Sequence, residues 1–311
     1  MNEIEFSQKI DDLGGTLYIV GGWVRDKIRG VIPKDKDFVI CHVKEDDFKQ
    51  NFLKAKKVGK SFPVYLVKIE DKECEVAFAR KERKTGIGYT GFVVNYDEKV
   101  TIEEDLYRRD TTMNSIAYRV RDGEIIDPYK GREDIEKKCI KAVSHHFKED
   151  PVRALRAARQ ACELNFKINE DTVNLMRACR EEIKSEPQER IFNELQRALK
   201  TKKPSIFFRS LVKADLLEIL FPEIYALIGK TQPVAFHPEG DAFEHTMEIV
   251  DLVADMTDDA ELLFLDCFWV LIQQIAILGY LCHITRLLFP ATDAQMYPSI
   301  PFGEGSFGGY G

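Results

Sequence analysis

The spacing of hydrophobic residues divides most of the chain into two regions with different periods. Over residues 17–139, short apolar runs such as LYIV, FVI and VYLV alternate with Gly, Pro and charged clusters, which is typical of strands interleaved with helices. Over residues 150–230 the period becomes helical, and Val152, Leu155 and Cys162, for example, fall on one stripe. The pattern predicts a mixed α/β domain followed by an all-helical region.

A third region begins after Glu261, where the last fifty residues contain only four charged side chains. Its longest apolar run, CFWVLIQQIAILGYLC, is shorter than the roughly 18 to 20 residues that a membrane span needs, and it has two glutamines at its centre. A buried helix is the favoured interpretation, and a divergent or out-of-frame C-terminus is the alternative. The closing GEGSFGGYG is of low complexity, so residues 303–311 are predicted to be a disordered tail.

Composition narrows the functional class without deciding it. A chain of 311 residues with 44% hydrophobic composition predicts two or three packed units. The net charge of −7 excludes a uniformly basic surface of the kind that coats nucleic acids, but it does not exclude a local basic face. The N-terminus is polar and acidic, unlike a secretion signal, and the seven cysteines lack CxxC spacing. These features predict a cytoplasmic protein with reduced thiols and no structural zinc site.

Two motifs in the first region suggest a phosphate and metal site. In LYIVGGWVRDKIRG a strand is followed by Gly21 and Gly22 and then by a helix start, where close backbone approach and free N–H groups favour phosphate. In PKDKDFVI, Asp35 and Asp37 are two residues apart at the head of an apolar run, so both carboxylates are predicted on one face of a strand. Paired carboxylates suit Mg²⁺ in phosphoryl transfer, and Glu75 in a later strand is a candidate third carboxylate. Taken separately, the motifs are also consistent with a tight turn and a charged loop.

Two further motifs are rich in arginine. In LYRRDTTMNSIAY, residues 106–118, guanidinium forks that match phosphate oxygens stand beside Asp and Asn side chains that can bond ribose hydroxyls. In HFKEDPVRALRAARQACEL, Asp150 is a predicted N-cap with Pro151 at the first helical position. Arg153 and Arg156 would then share one helical face. Solvated salt bridges on a surface would explain each motif equally well.

In this order, the patterns GGxVRDxxxG, DxD, RRDxTxN and EDPxRxxRAxR resemble the bacterial-type tRNA nucleotidyltransferase (CCA-adding enzyme) and poly(A) polymerase family of the polymerase-β superfamily. The resemblance covers roughly residues 17–261. It implies a polymerase-β-like α/β nucleotidyltransferase head over residues 1–142. An all-α neck and body, binding the nucleotide base and tRNA, would follow over residues 143–230.

The resemblance also implies a role for each motif. Asp35 and Asp37 would hold the catalytic Mg²⁺ ions, with Glu75 as a third catalytic carboxylate. Asp150 and Arg153 would read the base edge of CTP or ATP in place of a nucleic-acid template. The full set of implied nucleotide-binding residues is Gly21, Gly22, Arg25, Asp26, Arg108, Arg109, Asp110, Asn114, Asp150, Arg153 and Arg156. The implied reaction is template-independent addition of C and A to the 3′ end of tRNA, without a membrane partner.

Two segments leave the interpretation open. Residues 81–99 are charged and contain glycines; in relatives a flexible loop here takes part in the switch from adding C to adding A, and a plain surface loop fits equally well. The segment AFHPEGDAFEHTMEIVD is similar to the start of an HD-type metal phosphohydrolase domain, but the expected His-Asp pair is missing where LLFLDCFWVLIQQ stands. Residues 231–302 are therefore predicted to be an incomplete helical remnant, with His237 and His245 as orphaned histidines.

Alternatives of function also stay open at the level of sequence. The same motifs serve poly(A) polymerases and enzymes that add only A or only C. An active HD-type phosphohydrolase and a non-catalytic RNA-binding remnant are alternatives of other classes.

Overall fold

The computed structural model describes residues 1–58, 63–86, 91–230 and 241–256. The α-helices are α1 (Glu3–Asp12), α2 (Gly22–Ile28), α3 (Glu45–Asn51), α4 (Ile102–Tyr107), α5 (Gly131–Glu136), α6 (Val152–Leu164), α7 (Glu170–Arg177), α8 (Gln188–Leu199), α9 (Ser205–Lys213), α10 (Leu217–Leu220), α11 (Pro222–Tyr225) and α12 (Ala242–Met256). The strands are β1 (Thr16–Val20), β2 (Asp37–Cys41), β3 (Lys56–Lys57), β4 (Val64–Ile69), β5 (Lys72–Phe78), β6 (Lys81–Lys84), β7 (Phe92–Asn95), β8 (Ala117–Arg119), β9 (Ile125–Ile126), β10 (Cys139–Ile140) and β11 (Lys167–Ile168).

A seven-stranded mixed sheet organises the first region, in the order β3-β4-β5-β2-β1-β8-β9. β1 pairs antiparallel with β2 and β8, whereas β2 pairs parallel with β5. The two central strands, β1 and β2, are buried along almost their whole length. Their alternate residues enter two separate apolar clusters, one on each face. This double burial explains why their sequences read as continuous apolar runs.

The second region packs around α6. Helices α8 and α9 lie against it, and the alanines on α6 are small enough to let these helices approach closely. Pro151 precedes the helix, and Asn165 ends it in the left-handed conformation with φ of +53°. The predicted stripe is buried in full. The expectation of an α/β domain followed by a helical region is therefore confirmed in outline.

Two local features differ from the sequence-based expectations. The second region is mostly rather than wholly helical, because β11 pairs in parallel with β10 from the first region. This pairing crosses the predicted boundary at residue 142, which stays a prediction. Within residues 81–99, β6 and β7 form an antiparallel hairpin where a plain loop was one interpretation.

The predicted C-terminal features lie largely outside the described residues. His245 lies on α12, whereas His237, the apolar run CFWVLIQQIAILGYLC and the predicted disordered tail are not among the residues described. The HD-like remnant thus stays a prediction. None of the described helices combines the length and the apolar character needed to cross a membrane.

We expect Leu155→Ala to destabilise the helical region, because Leu155 is completely buried on α6. Truncating such a leucine removes about 2 to 5 kcal/mol of unfolding free energy. Urea denaturation followed by circular dichroism measures the loss. Ile4→Ala on α1, where the side chain is exposed, is the matched control and should change the unfolding free energy by less than about 0.5 kcal/mol. Equal effects from the two variants would contradict the assigned core.

Candidate active site

A cleft of about 1740 Å³ opens between the sheet and the helices of the second region. All of the site residues predicted from the sequence line it, although they come from four separate motifs and one further strand: Gly21, Gly22, Arg25, Asp26, Asp35, Asp37, Glu75, Arg108, Arg109, Asp110, Asn114, Asp150, Arg153 and Arg156. The chain therefore brings together residues that are up to 135 positions apart, from Gly21 to Arg156.

The glycine turn joins the end of β1 to the start of α2. Gly21 has φ of +74°, a conformation that side-chain-bearing residues rarely adopt. A Cβ atom at Gly21 would lie 3.7 Å from Asp37 Oδ2 and 3.9 Å from Arg109 Nη1. The turn, a carboxylate and a guanidinium thus meet at one point.

Arg25 on α2 is held in the cleft by two neighbours. Its guanidinium donates from Nε and Nη2 to the two oxygens of Asp26, at 2.9 and 3.0 Å. Its Nη1 donates to Asn114 Oδ1 at 3.0 Å. Asp26 and Asn114 therefore fix the orientation of Arg25 in this structure.

The three predicted carboxylates lie at one edge of the cleft. Asp37 is the first residue of β2 and is in register with Glu75 of the parallel neighbour β5. Asp35 precedes the strand, so the expectation that both aspartates lie on it is wrong. Partial desolvation raises the pKa of Asp37, and the negative charges of Glu75 and Asp35 raise it further, while Arg109 opposes them.

Carboxylate oxygens in this arrangement suit a hard divalent cation. The negative charges of Glu75 and Asp35 repel that of Asp37, and a bound cation would relieve this repulsion. Among the described residues, no group of three or more acidic, His or Cys side chains is already arranged around a metal position. In proteins, Mg²⁺ is usually bound by one or two carboxylates together with substrate phosphates.

The paired arginines share one buried carboxylate. Asp105, on α4, is completely buried and accepts from Arg108 Nη2 and Arg109 Nη2, each at 2.8 Å. Burial alone would raise the pKa of Asp105, but the two guanidinium groups hold it well below its ordinary value. Arg108 and Arg109 are thereby fixed side by side despite their like charges.

Asp110 connects the arginine motif to α6. Its buried carboxylate accepts from Arg156 Nε at 2.9 Å and from Gln160 Nε2 at 3.3 Å. Arg156 and Arg153 hold the pKa of Asp110 well below its ordinary value against the effect of burial. With its carboxylate engaged in this way, Asp110 orients Arg156 at the cleft.

The start of α6 presents Asp150 and Arg153. Both carboxylate oxygens of Asp150 accept from Arg190 Nη2, at 3.1 and 3.0 Å, and one also accepts from the backbone of Val152 at 3.3 Å. The helix begins at Val152, one residue later than predicted, with Pro151 immediately before it. Arg153 Nη1 donates to the carbonyl oxygen of His146 at 3.0 Å.

Sequence reasoning missed several charged residues of the cleft. Arg190 from α8 holds Asp150, and Glu82 from β6 also lines the cleft. Neither Arg190 nor Glu82 belongs to a motif that signals a site. A basic group in the last turn of α8 and just after the helix also lines the cleft: Arg197, Lys200, Lys202 and Lys203. The run KTKK at residues 200–203 is visible in the sequence and could have marked this group.

Two family descriptions match the chain. Residues 17–141 match the "Poly A polymerase head domain", and residues 165–227 match the "Probable RNA and SrmB- binding site of polymerase A". The first match covers the sheet and the first three motifs of the cleft. The second covers the helices that follow α6.

Similar proteins point in the same direction. The chain is 42% identical over 252 residues to the multifunctional CCA protein of Haemophilus influenzae (strain PittGG), which covers 79% of this chain and 59% of that protein. The CCA-adding enzyme of Bacillus stearothermophilus in complex with CTP superposes with a TM-score of 0.60 at 30% identity, covering 68% of this chain and 51% of that one. A tRNA nucleotidyltransferase complexed with a primer tRNA and an incoming ATP analog superposes with a TM-score of 0.56 at 29% identity, covering 71% and 66%.

The chain spans about three fifths of the length of the curated relatives that it matches. The first family description nevertheless includes three of the four motifs of the cleft, and the fourth lies between the two matched ranges. This chain belongs to the family of CCA-adding tRNA nucleotidyltransferases and poly(A) polymerases.

Proposed function

We propose that this protein is a template-independent nucleotidyltransferase that adds C and A to the 3′ end of tRNA, using CTP, ATP and Mg²⁺. The observation that carries the proposal is the convergence of a positive-φ glycine turn, two aspartates and a set of fixed arginines in one cleft. The relatives support the acceptor and the nucleotides, since their names refer to CCA addition, CTP, an ATP analog and primer tRNA.

In the proposed reaction, the RNA 3′ oxygen attacks the α-phosphorus in line with the leaving group. The new bond joins the 3′ oxygen to phosphorus, the bond to the β-phosphate oxygen breaks, and the 3′ hydroxyl proton is lost as pyrophosphate leaves. Asp35 and Asp37 would hold Mg²⁺, with Glu75 beside them. Bound there, Mg²⁺ would stabilise the charge that develops on the attacking and leaving oxygens.

The triphosphate would lie along the glycine turn. Its negative charge would face Arg25, Arg108 and Arg109, whose orientations are already set by protein carboxylates and Asn114. Groups fixed before the substrate arrives need little reorganisation in the transition state. Asp26 and Asp110 would act mainly by holding the arginines.

Base recognition would fall to the start of α6. Asp150 offers acceptors and Arg153 offers donors at the cleft wall, and Arg156 lies one turn further along. Protein side chains would thus replace a template strand. The basic group at residues 197–203 would bind phosphates of the acceptor RNA.

The direct experiment is stepwise extension of a tRNA that lacks its terminal CCA, with each nucleoside triphosphate supplied singly and then in combination. We expect two C residues with CTP alone and a final A only after ATP is added. Incorporation of A alone would favour a poly(A) polymerase or an A-only enzyme, and C alone a C-only enzyme. Binding of tRNA without any transfer would contradict the proposal.

Asp35→Asn and Asp37→Asn should each abolish nucleotide addition, by about a thousandfold or more, because each removes a metal-binding charge from the site of phosphoryl transfer. The primer-extension rate at saturating CTP measures the effect, and circular dichroism checks that the fold persists. The control is Asp71→Asn in the β4–β5 turn, whose side chain is 94% exposed and which should extend tRNA normally. Near-normal transfer by either variant would contradict the assigned metal site.

Asp37→Asn should also stabilise the metal-free protein at neutral pH. The raised pKa means that the folded protein binds the Asp37 proton more tightly than the unfolded chain does, so ionisation disfavours folding as pH rises. The gain should shrink as pH falls through the raised pKa and vanish below the ordinary value of 3.8, where both states are protonated.

Urea unfolding in EDTA, repeated from pH 4 to pH 8, measures this gain. Added Mg²⁺ should stabilise the unaltered chain more than the variant, because it binds the folded state through the missing carboxylate. Equal stabilisation of both proteins by Mg²⁺ would place the metal elsewhere.

Arg153→Ala should alter the choice between nucleotides more than the chemistry, because Arg153 lies in the first turn of α6 and is not one of the three carboxylates proposed to hold the metal. We expect the ratio of kcat/KM for CTP to that for UTP to fall about tenfold or more, the usual scale for losing a charged hydrogen-bond donor. Single-nucleotide extension with the four triphosphates measures it. An unchanged ratio would remove Arg153 from base reading.

A further inference from the structure

The loop between α2 and β2, residues 29–36, carries two exposed apolar side chains at the edge of the cleft. Val31 and Ile32 both line the cleft, and they are 49% and 90% exposed. Among the described residues, Ile32 is the most exposed of the large apolar side chains. Covering such a side chain removes apolar surface from water, which is favourable. This loop, called the rim loop below, therefore offers apolar contact area to whatever enters the cleft beside it.

The backbone of the rim loop is held on both sides of its apolar residues. The N–H of Val31 donates to the carbonyl oxygen of Asp26 at 3.0 Å and closes the end of α2 around Gly30, whose φ is +70°. On the other side, Pro33 follows Ile32 and restricts its backbone to extended conformations. The apolar side chains are thus presented from a defined backbone position.

Helices α6 and α8 show which end of the cleft the basic group occupies. Arg190, near the start of α8, pairs with Asp150, just before α6. Arg197, near the end of α8, lies 3.9 Å from Glu163, near the end of α6. The two helices therefore run side by side in the same direction. The basic group lies at the C-terminal end of α6, which has 13 residues and is about 20 Å long, whereas the proposed base-reading residues lie at its N-terminal end.

The rim loop lies at the same end of the cleft as the basic group. The guanidinium carbon of Arg29, the first residue of the loop, is 5.7 Å from the centroid of the Phe166 ring. Phe166 comes two residues after the last residue of α6. Basic and apolar side chains thus line one end of the cleft together. A single-stranded nucleic acid presents phosphate charge and the flat faces of its bases side by side, and such a groove suits both.

The rim loop is also close to the proposed metal site along the chain. Ile32 comes three residues before Asp35, so at most about 11 Å of extended backbone separates them. Stacked nucleotides rise by about 3.4 Å each. Ile32 is therefore within reach of the last three or so nucleotides of an RNA whose 3′ oxygen lies at the carboxylate edge.

We infer that Val31 and Ile32 form a contact surface for the unpaired nucleotides at the 3′ end of the acceptor RNA. The apolar side chains cover the face of a base or ribose without reading its hydrogen-bonding edge, while the basic group binds the phosphates. Both residues bind RNA and take no part in the chemistry. The inference rests on the proposed function, which makes an RNA 3′ end the substrate.

Ile32→Ser removes the apolar surface at a position where the fold does not need it. We expect the Kd for an acceptor-stem hairpin RNA with an unpaired 3′ extension ending in CC to rise about tenfold, the lower end of the range for covering an isoleucine. The Kd for the same hairpin with a blunt end should change less than twofold. Fluorescence anisotropy with the full chain measures both values, and circular dichroism checks the fold. Ile32→Leu, which keeps the apolar surface, should bind both RNAs normally.

Steady-state extension of tRNA gives a second measure of the same contact. With Ile32→Ser, the KM for tRNA should rise about tenfold, while kcat and the KM for CTP stay within about threefold, because the triphosphate and the carboxylates are not contacted. The matched control is Leu53→Ser, which makes the same kind of change at a side chain that is 86% exposed and is not among the residues that line the cleft. The control should behave as the unaltered chain does.

Salt separates the apolar contact from the phosphate contacts. Lys202→Gln should weaken binding of both RNAs, and its effect should shrink between about 50 and 200 mM salt, because it removes a charge that faces phosphate. The effect of Ile32→Ser should persist over this range, since the lost contact carries no charge. An effect of Ile32→Ser that shrinks with salt as that of Lys202→Gln does would contradict the inference.

The outcomes keep the inference and the proposed function apart. A chain that extends no tRNA, but in which Ile32→Ser still weakens binding of the extended RNA alone, would overturn the proposed function and support the contact surface. An active chain in which Ile32→Ser binds the extended RNA as tightly as Leu53→Ser does, or loses both RNAs equally, would overturn the inference alone. Gel filtration tests another occupant: a dimer of the unaltered chain that Ile32→Ser converts to a monomer would assign the rim loop to a second copy, and the inference would be wrong.

Discussion

The structure of the cleft depends on the need to hold several arginines close together without mutual repulsion. Each guanidinium must keep its charge, and burial makes an uncompensated charge costly by several kcal/mol. One carboxylate lies between each neighbouring pair of arginines: the completely buried Asp105 lies between Arg108 and Arg109, and the partly buried Glu82 lies between Arg108 and Arg153. The carboxylates leave a net positive wall whose side chains are nevertheless fixed, and such a wall suits a polyphosphate.

Helix α6 combines this wall with the packing of the second region. One side of the helix supplies small buried alanines to α8 and α9, while the other presents charged side chains to the cleft. Arg159 shows how closely the two roles are joined, because it lines the cleft and is also 4% exposed and paired with Glu194 of α8 and Glu163. The orientation of the charged side chains that α6 presents to the cleft is therefore a product of helix packing as much as of local chemistry.

Much of this arrangement could be predicted from the sequence, and the failures have physical reasons. Strand alternation made Glu75 a candidate partner of Asp37, although the pairing of β2 with β5 and its register are visible only in the structure. The glycine turn follows from its neighbouring strand and helix. Asp105 could not be recognised, because it stands in the acidic run EED, and nothing local shows that it alone of the three is completely buried. Arg190 and Glu82 were missed since their partners lie 40 and 71 residues away along the chain. Contacts between residues so far apart in the chain leave no periodic pattern in the sequence.

The short parallel pair of β10 and β11 has a consequence for how α6 can behave. The two strands flank α6 in sequence, and their ladder closes the chain around the helix through hydrogen bonds from Lys167 to Lys138 and from Asn169 to Ile140. At the N-terminal end of the helix, Arg190 Nη2 donates to both carboxylate oxygens of Asp150. Both ends of α6 are therefore held to neighbouring parts of the chain. Under the proposed function, fitting a larger or smaller base at the start of α6 would then require side-chain rotation or a shift of the β6–β7 hairpin, while the helix backbone keeps its position.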